Sequence, residues 1–282
     1  MEPSDELLAK HHVLVRTDGP FQRRARLLQA RWRERERLPI GTHRGSPLGS
    51  RLAMPFAQET LANYLTETVR DVVRHEVLDP ARSAHKLYQQ PRIFEDLLSS
   101  QPLCFNLFAQ LQADLPLASR VFSELLATPG LQVRAVEFEH SPGRGEPRFT
   151  GDHSAFDVFL PYTTRAGKHG FVAIEVKYAE SLNAKPARHR KRYDDVAEAM
   201  RVFEPSKLAD LREAPLEQFW RDHLLAGSMV LDGRAGYERG TFAIVYPSAN
   251  VPVAAAVASY ETCLRQRRRL QGDHAGDSPG DD

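Results

Sequence analysis

Two charged residues one position apart, Glu175 and Lys177, interrupt the apolar run FVAIEVKY, and Asp157 interrupts the run before it, AFDVFLPY. Burying an isolated carboxylate or ammonium costs several kcal/mol even after relaxation, so such groups need a partner, a metal or water. Side chains of an extended segment alternate between faces. Glu175 and Lys177 therefore point one way, and Val172, Ile174 and Val176 the other. If the two runs are neighbouring strands, Asp157 joins them in a cluster of two carboxylates and one ammonium. That set suits a hard divalent cation, because two carboxylates, a carbonyl and waters complete an octahedral oxygen shell for magnesium. Such a cation neutralises a scissile phosphate and lowers the pKa of a bound water. A nearby lysine orients that water or offsets charge as the phosphorus becomes pentacovalent. No His/Cys set with zinc spacing competes, since the histidines are scattered. The alternative is a neutralising cluster that fixes strand register. The triplet alone does not choose between them: 7 lysines and 37 acids in 282 residues give about one acid-x-Lys by chance, and one occurs.

The elements around these residues have to hold them. Both runs are short, nearly continuous and bounded by loop signals, as expected of strands buried on both faces. Leu131 to Phe138 (LQVRAVEF) alternates and is a third strand candidate, followed by the Gly/Pro-rich loop SPGRGEPRFTGDH. Thr241 to Tyr246 (TFAIVY) is the last strand. Gln22 to Arg37 has strong helix formers and few apolar anchors, which predicts an exposed, Arg-rich helix. Pro39 to Pro55 is rich in Gly, Pro and Ser and predicts a loop. Helical spacing covers Phe56 to His75, opens again at Phe94, and continues through PLCFNLFAQLQADL and Leu117 to Ala127. Pro186 to Phe203 returns to it. Pro215 to Ala226 carries Pro near its first turn and Gly227 just past its expected end. Val253 to Arg269 predicts a closing helix. This order gives an α/β domain with a helical amino-terminal half.

Composition bounds the answer from outside. With 41% hydrophobic and 27% charged residues, the chain can build a core and is unlike a disordered protein. No run reaches the roughly 18–20 apolar residues of a bilayer crossing, which excludes a helical membrane span. The amino terminus, MEPSDELLAKHHVLVR, carries acids where a secretory signal carries basic residues. Two cysteines, Cys104 and Cys263, cannot make a disulfide framework or a zinc-finger ligand set. A soluble, cytoplasmic protein is the expectation. Net charge is only +1, yet ten arginines face three acids between Arg16 and Arg51, and Lys185 to Arg192 (KPARHRKR) contains no acid. Such patches suggest a polyanion surface, with a solvated, salt-bridged surface as the alternative.

Asp157 followed by Glu175-Val176-Lys177 on the next strand resembles the PD-(D/E)XK nuclease superfamily, which has the fold of restriction endonucleases. The contexts SSQPLCFNLF, VEFEHSPGR, GDHSAFDVFLPY, GFVAIEVKYAESL and EQFWRDHLLA are similar to a bacterial restriction-endonuclease-like branch, over roughly Pro91 to Tyr246. The resemblance implies an αβββαβ core with a central mixed sheet, a magnesium-dependent phosphodiesterase in which manganese substitutes, and DNA as substrate. It matches Asp157 and Glu175 to the metal-binding carboxylates and Lys177 to the catalytic lysine. Phe156 stands where the superfamily's name has proline. A helix after the third strand often supplies Gln or Arg to such sites, and Gln218 and Arg221 fit that place. An additional acid often joins from the first strand or the helix before it. Among Glu124, Glu137 and Glu139, the last is preferred because it ends its strand. The expected organisation is a helical, Arg-rich region at 1–90, a nuclease core at 91–270 and a disordered acidic tail at 271–282. Lys185, Arg188, Arg190, Lys191 and Arg192 are the candidate DNA contacts, and the sequence admits a homodimer. The leading function is a DNA endonuclease of restriction, defence or repair type. The rivals are a non-catalytic DNA-binding or scaffolding protein on the same fold, and an exonuclease. Of the remaining polar residues, Asn106 fits a satisfied core amide, Asp152 and His153 fit a turn, and Trp32 fits an amphipathic anchor or a base-stacking residue.

Overall fold

A computed structural model describes residues 2–180 and 182–265. The closing helix, expected to reach Arg269, ends at Glu261, and the expected tail at 271–282 lies outside the described residues. Helix α1 (Asp5–Lys10) starts where the Ser4 hydroxyl accepts the Leu7 amide, and α2 (Pro20–Arg35) has proline in its first turn. The expectation of a fully exposed α2 fails on one face, where Ala25, Leu27, Ala30 and Arg33 are buried. Its alanines let the helix lie close to its neighbours, and the Arg33 guanidinium donates to the carbonyls of Gly49 and Leu38.

The segment Pro39 to Pro55 is not a loop but a hairpin, β1 (Ile40–His43) antiparallel to β2 (Ser46–Leu52). Arg44 and Gly45, with φ of 51° and 80°, make a two-residue turn whose twist suits the flanking strands. Its Gly/Pro/Ser content therefore marked a turn and its flanks rather than an absence of strands. The helical expectation over Phe56 to His75 is broken once, at Leu61 with φ 52°, between α3 (Phe56–Thr60) and α4 (Glu67–Val73). Short helices α5 (Pro80–Ser83) and α6 (Arg92–Glu95) lead to α7 (Ser100–Ala113) and α8 (Leu115–Leu125), capped by Ser99 and Asp114.

The alternating segment after Leu131 divides into β3 (Gln132–Val133) and β4 (Glu137–His140). Both pair antiparallel with β5 (Phe156–Thr163), which pairs antiparallel with β6 (His169–Val176). Helices α9 (Lys191–Met200), α10 (Leu208–Leu211) and α11 (Glu217–Asp232) precede β7 (Arg239–Val245), which runs parallel to β6, and α12 (Val251–Glu261) follows. The sheet is thus mixed and five-stranded, in the expected αβββαβ order. Two boundaries differ from expectation. Helix α9 starts at Lys191 rather than near Pro186. Helix α11 runs through Gly227 and ends at Gly233, whose φ of 68° suits a glycine cap. Gly227 serves packing, because an added Cβ would meet the Met200 side chain of α9.

The sheet is covered on both faces. Val158, Leu160, Val172, Ile174 and Val176 pack with Cys104, Phe105 and Phe108 of α7. On the opposite face Phe159, Phe171 and Ala173 pack with Leu225, Ala226 and Met229 of α11. Each fully buried large side chain contributes about 1.5–3 kcal/mol, so the sheet is fixed firmly between the layers. The α7-side cluster runs from Ala25 to Ala179, so the amino-terminal helices share one core with the sheet. Among the described residues no helix is long and apolar enough to cross a membrane.

Candidate active site

The alternation of β6 separates its two kinds of residue as the sequence requires. Val172, Ile174 and Val176 face α7, while Glu175 and Lys177 continue the α11-facing row begun by Phe171 and Ala173. Register then assembles the acids. In the β5–β6 ladder Val158 faces Ile174, which sets Asp157 opposite Glu175 at the ladder's end. In the β4–β5 ladder Phe138 faces Val158 and His140 faces Phe156, which sets Glu139 opposite Asp157. Alternation breaks at Glu139, whose φ is 49°: Phe138 packs on the α7 side, while His140 stacks on Phe159 on the α11 side. Where the ladder ends, the Val176 amide donates to Asp157 Oδ2 at 2.7 Å.

Helix α11 completes the cluster. Its stripe Gln218, Asp222, Leu225 and Met229 recurs every three to four residues. Leu225 and Met229 meet the apolar part of the β6 row, and Gln218 meets the charged part. Lys177 Nζ lies 2.7 Å from Glu175 Oε1 and donates to Gln218 Oε1 at 2.8 Å. The Gln218 amide in turn donates to Glu175 Oε1 at 2.7 Å. Burial disfavours the Lys177 ammonium, but Glu175, with Asp157 and Asp222, outweighs it, and the lysine pKa lies above its ordinary value. Asp157 retains some exposed surface, but packing around its carboxylate and the charge of Glu175 push its pKa well up, against the Val176 amide and Lys177.

Asp222 is the residue that sequence reasoning missed. It is 3% exposed, and its Oδ2 has no hydrogen-bond partner among the described residues. Burial, and then Glu175, raise its pKa well above the ordinary range, against Arg221 and Lys177. An acid four residues beyond Gln218, on a stripe that is otherwise apolar, was the signal available. Arg221, by contrast, turns away from the cluster. It pairs with Glu217 at 3.1 Å and reaches Ser154 and Asp152 in the loop before β5. Asp152 accepts from Ser154, Thr150 and Tyr193, so it shapes that turn. Asn106 is a satisfied amide, joined to Leu65 and to Asn63.

Asp157 and Glu175 fit a hard cation chemically, since two facing carboxylates repel each other and a shared positive ion relieves that repulsion. Glu139 is not gathered in with them. Its carboxylate pairs with Arg144 at 2.9 Å on the wall of a separate cleft, although its charge still acts on Asp157. Among the described residues no three His, Cys, Asp or Glu side chains converge as an enclosing cage. A cation held by two carboxylates would draw its other ligands from carbonyl, water and substrate oxygens, which is the habit of magnesium.

The basic segment divides in two. Lys185 lines a cleft of about 160 Å³ with Gln218, Glu217 and Arg221, next to the cluster. Arg188 and Arg190 are exposed, and their side chains, like that of Lys185, make no hydrogen bond or ion pair among the described residues. Lys191 is engaged by Asp195 at 2.5 Å, and Arg192 donates to the carbonyls of Phe149 and Arg148. A family profile described as the PD-(D/E)XK nuclease superfamily matches residues 16–273, nearly the whole chain. Searches of curated proteins and of solved structures returned no match.

Proposed function

Because the chain belongs to the PD-(D/E)XK nuclease superfamily, we propose that it is a magnesium-dependent deoxyribonuclease cutting within DNA, in restriction, defence or repair, with manganese as a substitute. The observation that supports this reading is the convergence of Asp157, Glu175, Lys177 and Gln218 at one edge of the sheet. Magnesium, when bound, neutralises the scissile phosphate and acidifies a water, and Asp157 and Glu175 are the residues that would hold it. The chain's own groups do the rest. The Val176 amide fixes the Asp157 carboxylate through one oxygen. Lys177 stays protonated beside Glu175 and stabilises charge gathering on the phosphate. Gln218 holds the lysine and the glutamate in register. Lys185 lines the cleft beside Gln218, and Lys185 with the exposed Arg188 and Arg190 would take the flanking phosphates. A non-catalytic descendant would most simply lose one member of the set, and none is lost. Both cysteines are free and buried, which accords with a cytoplasmic setting.

The test is incubation with supercoiled, linear and single-stranded DNA, with magnesium or with EDTA. Nicking or linearisation of the supercoiled form only with magnesium is expected. Loss of linear DNA alone would make the protein an exonuclease, and retention without product would make it a scaffold. Undiminished cleavage in excess EDTA would remove Asp157 and Glu175 from their role.

A further inference from the structure

A cleft of about 540 Å³ opens at the same end of β6, on the α7 side of the sheet and away from Glu175 and Lys177. Tyr178, the residue after Lys177, forms part of its wall, and Trp32 and Leu28 of α2 form another part. The rim carries Arg31 and Arg35, and no carboxylate lines the cleft. The Arg31 side chain makes no hydrogen bond or ion pair among the described residues, and that of Arg35 pairs there only with its exposed neighbour Glu36. Leu28 and Leu65, both lining it, are each 64% exposed, an apolar surface of the kind that marks a binding site.

The aromatic wall is built rather than incidental. The Tyr178 hydroxyl accepts from Gln29 at 2.9 Å, and Phe21 stands edge-on to the ring at 6.3 Å. Its peptide is held at both ends: the amide donates to Glu180 at 2.9 Å, and the carbonyl accepts from Asn250 at 2.8 Å. Flat apolar faces, a guanidinium rim and no negative charge are the features of a site for a planar aromatic group that carries phosphate. Tyr178 follows Lys177 directly, so a DNA strand at Asp157 and Glu175 that continued past the end of β6 would bring a flanking nucleotide toward this opening.

Resting on the nuclease reading above, we propose that the cleft takes an unstacked nucleobase of that strand, between Trp32 and Tyr178, with Arg31 and Arg35 on its phosphates. The substrate class is then single-stranded or locally melted DNA, and an intact duplex binds without using the cleft.

Binding is measured on the full chain in EDTA, where DNA stays uncut, with a short deoxythymidine oligonucleotide, an abasic strand of equal length and a blunt duplex. Trp220 is 1% exposed within the core, so quenching of tryptophan fluorescence reports on Trp32. The thymidine strand should quench it, and the abasic strand and the duplex should not. Trp32→Ala should weaken thymidine-strand binding by about 5- to 150-fold, the equivalent of one base–aromatic stack, and Trp32→Phe should keep most of the affinity. Equal affinity for thymidine and abasic strands, an unquenched Trp32 at saturation, or wild-type affinity in Trp32→Ala would overturn the proposal. A cleft made for an apolar protein segment would give that first result. If Trp32→Ala fails to fold, the quenching of the unaltered protein decides. Magnesium-dependent cleavage is followed in parallel. Cleavage without base discrimination removes the cleft assignment alone, whereas neither binding nor cleavage removes the nuclease reading.

Discussion

Gln218→Ala removes the one neutral group that touches both buried charges, accepting from Lys177 at 2.8 Å and donating to Glu175 at 2.7 Å. A hydrogen bond to an ionised partner is worth about 1.5–3 kcal/mol, so two of them set a ceiling of about 3–6 kcal/mol. Two features pull the loss toward the lower end. Lys177 and Glu175 keep their own pairing at 2.7 Å, and the cleft of about 160 Å³ beside Gln218 admits water to the vacated positions. The expected loss is about 3 kcal/mol, which lowers Tm by about 6–12 °C for a chain of this length. If half of the restraint acts on Lys177 in the transition state, the cleavage rate falls about 10-fold. Gln218→Glu separates position from charge. It still accepts from Lys177, but it loses the donor to Glu175 and sets a third carboxylate beside Asp157 and Glu175. Its activity should fall below that of the alanine variant. The assay pairs thermal unfolding with single-turnover cleavage at saturating magnesium. Wild-type rates and wild-type Tm in both variants would refute the reasoning, and an active glutamate variant would refute the charge argument alone.

Asp157→Ala, Glu175→Ala and Lys177→Ala should each abolish cleavage, with circular dichroism confirming the fold; full activity in any of them would sink the site. Magnesium or manganese should support cutting, while calcium, with its longer and looser coordination, should support binding only, as a metal titration with both readouts shows. Neutralising Lys185, Arg188 and Arg190 together should lower the salt slope of DNA binding by up to about 0.9 log unit for each phosphate that the variant no longer neutralises. Lys191→Ala and Arg192→Ala should leave that slope unchanged, because Asp195 and the carbonyls of residues 148 and 149 already engage them. His223 is partly buried and hydrogen-bonded to the Tyr260 hydroxyl at 2.9 Å, and desolvation of its ring lowers its pKa from 6.5 to about 4. The unfolded chain therefore takes up a proton before the native one does. Stability should fall by about 3 kcal/mol as pH drops from about 6.5 to about 4 and should level off below that. Urea unfolding across that range should show the loss in the native protein and a flatter profile in His223→Gln.

The strands and the shared face of Glu175 and Lys177 were legible because both follow from local alternation. Val172, Ile174 and Val176 against Glu175 and Lys177 is a two-residue period, and no neighbour is needed to say that the charges share a face. The opposition of Asp157 and Glu175 followed once the two runs were taken as adjacent strands. The hairpin at Ile40–Leu52 and the true end of α11 were not legible. Glycine and proline mark special backbone or close packing without saying which, and Gly227 proved to pack on Met200 from inside a helix.

The sequence by itself determined the residue types, the faces of β6 and the order of elements, since these depend on spacing along one chain. Only the tertiary structure decided which helical residues reach the cluster. Gln218 and Asp222 follow the apolar stripe of α11 onto β6, whereas Arg221, three residues from Gln218, is held by Glu217 and the loop before β5. Only packing decided that Lys191 and Arg192 are spent on Asp195 and on backbone carbonyls while Arg188 and Arg190 stay unpaired among the described residues. It also turned Glu139 to Arg144 and set Trp32 against Tyr178, 146 positions on in the chain. A side chain's partner is fixed by whichever distant groups the core brings within about 3 Å, and no local pattern encodes that distance.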